Sequence, residues 1–183
     1  MKWRGLIALW RDRAGSALVE LGAVLPALVL LAMGGTEVAR YALLNQKLDR
    51  VASTMGDLVA QSETLTAAQV DMLFAATAPV AWPFDLAQSG TVILSSVSLQ
   101  GGVARLNWQR RGGGALTAAS RIGVAGGVAT LPAGMVLRTG DTLIIAEVWF
   151  DFAPVLYPQV APAARLYHSA FFRPRLGSLN ALG

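Results

Sequence analysis

Ser16 to Thr36 read SALVELGAVLPALVLLAMGGT. These 21 residues hold a single charge, Glu20. As a helix rising ~1.5 Å per residue they extend about 30 Å, the hydrocarbon thickness of a bilayer. Pro26 lies in the first half. Membrane helices tolerate proline there at the cost of a freed carbonyl. The flanks set an orientation. Lys2, Arg4, Arg11 and Arg13 precede the run, opposed only by Asp12, while Glu37, Arg40, Lys47, Asp49 and Arg50 follow it with mixed sign. Basic residues stay on the cytoplasmic side, so the N-terminus is expected inside and the remainder outside.

The totals agree. Of the 183 residues, 54% are hydrophobic and 14% charged, with mean hydropathy +0.50. That is too few charges for an ordinary soluble domain, where about 25% is usual. The net charge of +4 comes mainly from the first fifteen residues, which sum to +3. A nucleic-acid binder carries its basic stripe on the folded domain, so no nucleic-acid partner is expected. The chain lacks cysteine, which excludes disulfides, thiolate nucleophiles and cysteine-based metal sites.

Past Gly35 the helical pattern continues. Leu44, Leu48, Val51, Met55 and Leu58 recur at spacings of four, three, four and three, on one face. One helix is therefore expected from about Leu18 to about Val59, its first half in lipid. Its second half carries an apolar stripe for a folded domain or a partner helix. A removed signal peptide is the competing reading, because Ala32-Met33-Gly34 resembles a small-x-small cleavage site. The stripe running on past that point favours a permanent anchor. Glu20 is the informative residue. An acid within a membrane helix either snorkels, is protonated or has a buried partner, and is a functional candidate.

Gly15 stands before the apolar run and Glu20 is the fifth residue after it. A basic leader, Gly-x-x-x-x-Glu and an apolar helix resemble the processing region of type IV prepilins. A wider block is similar to the TadE-like family of the tight-adherence (Flp) pilus system. It comprises Arg13-Ala14-Gly15-Ser16-Ala17-Leu18-Val19-Glu20, Leu25-Pro26, Glu37-Val38-Ala39-Arg40 and Gln46-Lys47-Leu48-Asp49-Arg50-Val51-Ala52. Leu21 stands where pilins of that system usually carry an aromatic residue. Ile144 to Tyr157 and Arg173-Pro174-Arg175 resemble the family more loosely.

The resemblance implies a non-catalytic minor pilin or pseudopilin in the inner membrane. It implies cleavage between Gly15 and Ser16 by a prepilin peptidase, and pairing of Glu20 with a neighbouring subunit's amine. It marks Glu37 and Arg40 as the helix exit. Its partners would be other pilin-like subunits and pilus-assembly membrane proteins. The larger TadG-like relatives carry an Asp-x-Ser-x-Ser metal site that is missing from this sequence.

Four segments are expected: a cytoplasmic leader (1–15), a transmembrane helix (16–36), an extracytoplasmic helical segment (37–90) and a β-rich domain (91–183). In the third, Thr66 and Gln69 form a capping box that starts a helix running to about Ala76, with Leu65 stapled to Val70. Pro79 and Pro83 break it. Trp82 and Phe84 either anchor at the membrane surface or pack under the sheet, the latter being favoured.

Thr91–Gln100 reads as a strand with Ile93, Val97 and Leu99 on one face, and Gly101-Gly102 as a tight turn. From Val103 to Arg110, Ala104, Leu106 and Trp108 alternate with Arg105, Asn107 and Gln109. Arg111–Gly134 is a Gly/Ala/Thr-rich loop or short hairpin and a candidate contact surface. Leu143–Phe152 and Ala164–Phe172 complete the strands. The fold class expected is α+β, with the long helix on an antiparallel sheet in a pilin-like arrangement.

No catalytic set emerges. His168 is the lone histidine. Glu147 and Asp151 share a strand face about 13 Å apart, too far for one metal ion. Asp141 beside Gly140 is a turn residue. No cofactor is expected. The alternative function is an anchored or secreted binding module for envelope carbohydrate or protein, using Trp108, Trp149 and the Gly-rich loop.

Overall fold

A computed structural model describes residues 13–156 and 162–183. The leader residues Lys2, Arg4, Arg11 and Asp12, and Tyr157, lie outside the described residues. Among the described residues four helices, α1 (Arg13–Ala60), α2 (Ala67–Ala75), α3 (Thr77–Ala81) and α4 (Leu86–Ser89), precede four strands. These are β1 (Gly90–Gln100), β2 (Val103–Gly112), β3 (Thr142–Phe152) and β4 (Ala164–Phe172). The chain divides into two compact units, Met1–Arg40 with Pro154–Pro162, and Tyr41–Ala153 with Ala163–Gly183.

In the first unit α1 runs through Pro26 without interruption. Its apolar side chains are bare. Leu18, Val19, Leu21, Val24, Leu25 and Leu28 to Leu31 are all 49–73% exposed.

The second unit is an α+β layer. All strand neighbours are antiparallel, in the order β2-β1-β3-β4. The remainder of α1 lies on one face of this sheet and buries Leu44, Leu48, Val51, Ala52, Met55 and Val59. The expected stripe holds except at Leu58, which is half-buried. At 100° per residue, Ala52, Gly56 and Val59 centre the face better. Gly56 permits the contact, since a Cβ there would lie 2.5 Å from the Phe172 ring and 3.6 Å from Ala146. Tyr41 adds an edge-to-face contact with Phe152 at 5.3 Å, and the ring of His168 bonds Asn45 at 3.1 Å.

The opposite face of the sheet is covered by residues 113–141, which lack regular structure apart from one bridge, Arg105 with Val128. The segment read as a loop is therefore the second wall of the core. Ile122, Ala129 and Leu137 pack with Val97, Leu106, Leu143 and Ile145. Ala118 packs with Ile93 and Trp149. β1 and β3 are buried on both faces at nearly every position; β3 is accordingly apolar at eight of its eleven residues, whereas β1 buries Thr91, Ser95, Ser96 and Ser98 among its apolar side chains.

Strand alternation in β2 is broken. Ser96 pairs with Trp108 but Val97 pairs with Leu106, so Asn107 is an extra residue in a β-bulge. Leu106 and Trp108 consequently lie on opposite faces, not on one. Leu106 enters the loop-side core, and the Trp108 indole donates to the Leu179 carbonyl at 2.8 Å.

Gly101 and Gly102 both have positive φ, +59° and +79°, the conformation a two-residue hairpin needs. The capping box at Thr66 forms as expected, with Thr66 Oγ1 accepting from Gln69 N–H and the Gln69 side chain accepting from Thr66 N–H. Pro79 does not break a helix but sits in the first turn of α3, where its missing N–H costs nothing. Phe84 meets Phe150 edge to face at 6.3 Å. Trp82, expected under the sheet, is 73% exposed.

Candidate functional site

α1 places the expected processing and assembly residues along one rod. Gly15 and Ser16 fall in its first turn, Gly15 exposed and in open space. Glu20 follows one turn later, also exposed. It stands at the edge of the bare apolar surface, and α1 is the one described helix long and apolar enough to cross a membrane.

Glu37 and Arg40, the expected helix exit, make more contacts than their sequence indicated. Glu37 is fully buried although nearly every neighbour on its stretch is exposed. Its carboxylate accepts the Val155 N–H at 3.2 Å on either oxygen and the Leu156 N–H at 2.9 Å on Oε2. Arg40 donates to Oε1 at 2.9 Å from the next turn of the helix. Two backbone donors and a guanidinium therefore satisfy one buried acid, an arrangement that offsets its desolvation. The Glu-x-x-Arg spacing makes the ion pair legible in sequence. The backbone donors, 118 and 119 residues away, leave no such signal.

A second buried acid was missed as a structural centre. Glu147, on the loop-covered face, accepts from Ser120 Oγ, the Arg121 N–H at 2.8 Å and the Tyr167 hydroxyl at 3.1 Å. It thus fastens the 113–141 segment to β3 and β4. Burial, with the neighbouring Glu147 charge, pushes the Tyr167 phenol up to about 12 against the partial opposition of Ser169 and Arg121. Asp151, expected on the same strand face, is engaged elsewhere, in a two-point contact with Arg165 at 2.6 and 2.7 Å. That contact holds its carboxyl below the usual range.

Other expected positions are structural. Asp141 closes a turn by accepting the Arg138 N–H at 3.1 Å. Among the described residues no group of three or more metal-ligating side chains converges. Trp108 and Trp149 are only 7% and 9% exposed, so neither offers a free ring face for a sugar.

Arg175, in the C-terminal tail, donates its N–H to the last carbonyl of α1, Ala60, at 2.8 Å and pairs with Asp57. Arg173 pairs with Asp141 at 3.3 Å.

Comparison with known proteins finds one family. Residues 15–55 match the model of the TadE-like protein family. The match covers Gly15, Ser16, Glu20, Glu37 and Arg40. No curated protein and no solved structure matches the chain.

Proposed function

We propose, from the TadE-like segment at residues 15–55, that this protein is a non-catalytic minor pilin or pilus-assembly protein of a tight-adherence (Flp, type IVb) pilus system. The bare apolar surface of α1 from Leu18 to Leu31 is the observation that carries the reading. A contiguous apolar surface of that length is stable against lipid tails or other apolar helices, and not against water.

On this reading the leader is cytoplasmic and residues 16–36 cross the inner membrane. The helical segment (37–90) and the β-rich domain (91–183) stand in the periplasm or outside. A prepilin peptidase cuts between Gly15 and Ser16, and the new Ser16 amine begins the mature helix. Glu20 accepts the amine of a neighbouring pilin-like subunit. Each charge costs less in a lipid-like core when paired. Glu37 and Arg40 fix the chain where the helix leaves the membrane.

The test is a Glu20→Ala chain expressed beside the other pilus proteins. The variant should enter the membrane normally and fail to co-purify with pilin-like subunits. Co-purification at the wild-type level contradicts the assembly role. Mass spectrometry of the membrane-extracted N-terminus checks processing, with Ser16 expected as first residue.

A further inference from the structure

The two edges of the sheet differ. The outer edge of β2 is occupied by its own loop. Leu106 N–H bonds the Gly127 carbonyl at 3.0 Å, Gly126 N–H bonds the Leu106 carbonyl at 2.7 Å, and Ala129 N–H bonds the Ala104 carbonyl at 2.8 Å. β4 is the opposite edge, nine residues reading ARLYHSAFF, paired with β3 in unbroken register. Among the described residues no backbone hydrogen bond reaches its far side. It also lacks the usual protection of an edge. It has no proline, glycine or bulge, and its one charge, Arg165, is committed to Asp151.

Beside this open edge lies a cleft of about 230 Å³. Tyr167, Ser169 and Phe171, the loop-facing side chains of β4, form one wall, and Arg121, Thr130 and Pro132 form the other. The Arg121 guanidinium stacks on Tyr167 at 4.0 Å and lies 5.0 Å from the Trp149 ring. Stacking fixes the plane of the fork and leaves its N–H edges to bind. Arg121 is exposed and makes no ion pair among the described residues.

We propose that the open edge of β4 takes an extended strand from another protein, with an acidic side chain of that strand held by Arg121. Main-chain bonds to the edge supply affinity, and alternate side chains seated in the cleft supply selectivity. Strand periodicity puts every second side chain of the incoming peptide on the Arg121 side, so one carboxylate opposite Tyr167 or Ser169 reaches the guanidinium. A second copy of β4 is a poor occupant, since ARLYHSAFF contains no acid and brings a further arginine. The site is separate from the pilus reading and does not depend on it.

The experiment uses the full chain in detergent micelles and a randomised library of blocked nine-residue peptides. Selection should enrich β-forming peptides with Asp or Glu at one central position. Replacing that acid by its amide should weaken binding at least about tenfold, a charge-assisted pair's worth. Arg121→Gln should erase the difference, and Arg121→Lys should keep part of it. N-methylation of the peptide backbone should abolish binding at alternate positions only. Both variants should keep the wild-type urea transition, because Arg121 is exposed. Enrichment without an acid preference, a preference unchanged in Arg121→Gln, tolerance of N-methylation throughout, no enrichment at all, or self-association through β4 would each overturn the proposal.

Discussion

The two halves of α1 differ in composition and are treated oppositely by the fold. Leu18 to Leu31 face outward around the whole helix, while Leu44, Leu48, Val51 and Met55 are sealed against the sheet. Composition separates them, with one charge in Ser16–Thr36 against six in Glu37–Ala60. Periodicity agrees, since the second half confines its apolar residues to one stripe and carries Lys47, Asp49, Arg50 and Asp57 elsewhere. A helix apolar all round is matched to an apolar solvent, whereas a striped one is matched to a core and water. On the proposed membrane-anchor reading, one continuous helix serves two solvents, with the change near Glu37 and Arg40.

Truncation should break the halves apart most clearly. Leu48→Ala should cost ~2–5 kcal/mol in the urea unfolding of the β-rich unit, because it empties a buried site. Leu28→Ala should shift the same transition by less than about 0.5 kcal/mol. Equal effects would mean that Leu28 is packed within the folded unit. Next comes Glu147→Leu, which strips the acceptor from Ser120, Arg121 N–H and Tyr167 and should cost ~2–3 kcal/mol. It should also raise amide exchange across residues 113–141.

The acids of the first unit sharpen the contrast. Glu37→Ala should expose the Val155 and Leu156 amides to rapid exchange, while Glu20→Ala should leave those two amides as they are. Thr66→Ala, which removes one cap, should cost ~1 kcal/mol in the urea transition.

The remaining effect is in pH. The Tyr167 phenol is raised in the folded chain to about 12 from an ordinary 10. Its contribution is therefore complete below pH ~10 and is lost as pH rises through ~12, where the unfolded chain has given up the proton. Tyr167→Phe should flatten that decline, measured as thermal midpoint against pH.

Much of this architecture was legible. The span of α1, the glycine hairpin, the capping box and the strand set follow from local rules about period, turn and cap. What escaped depends on distant partners. Nothing near Asn107 signals that β2 bulges there, so Leu106 and Trp108 could not be assigned to opposite faces. Residues 113–141 lack a period because they cover the sheet as irregular chain, with single residues such as Ile122 and Leu137 reaching in. Glu37 and Glu147 look like ordinary surface acids until donors from remote segments close on them. Of the candidate site, the Glu37–Arg40 pair was readable because it is local. The Arg121 cleft was not, because stacking on Tyr167 joins residues 46 positions apart in the chain.

The absence of native cysteine permits a direct test of the proposed membrane span. Single-cysteine chains, Leu28→Cys and Arg50→Cys, would be treated in intact membranes with a water-soluble maleimide that does not cross them. An anchored α1 requires Arg50→Cys to react from the outer side and Leu28→Cys to react only after detergent is added. Labelling of Leu28→Cys in sealed membranes as fast as Arg50→Cys would contradict it.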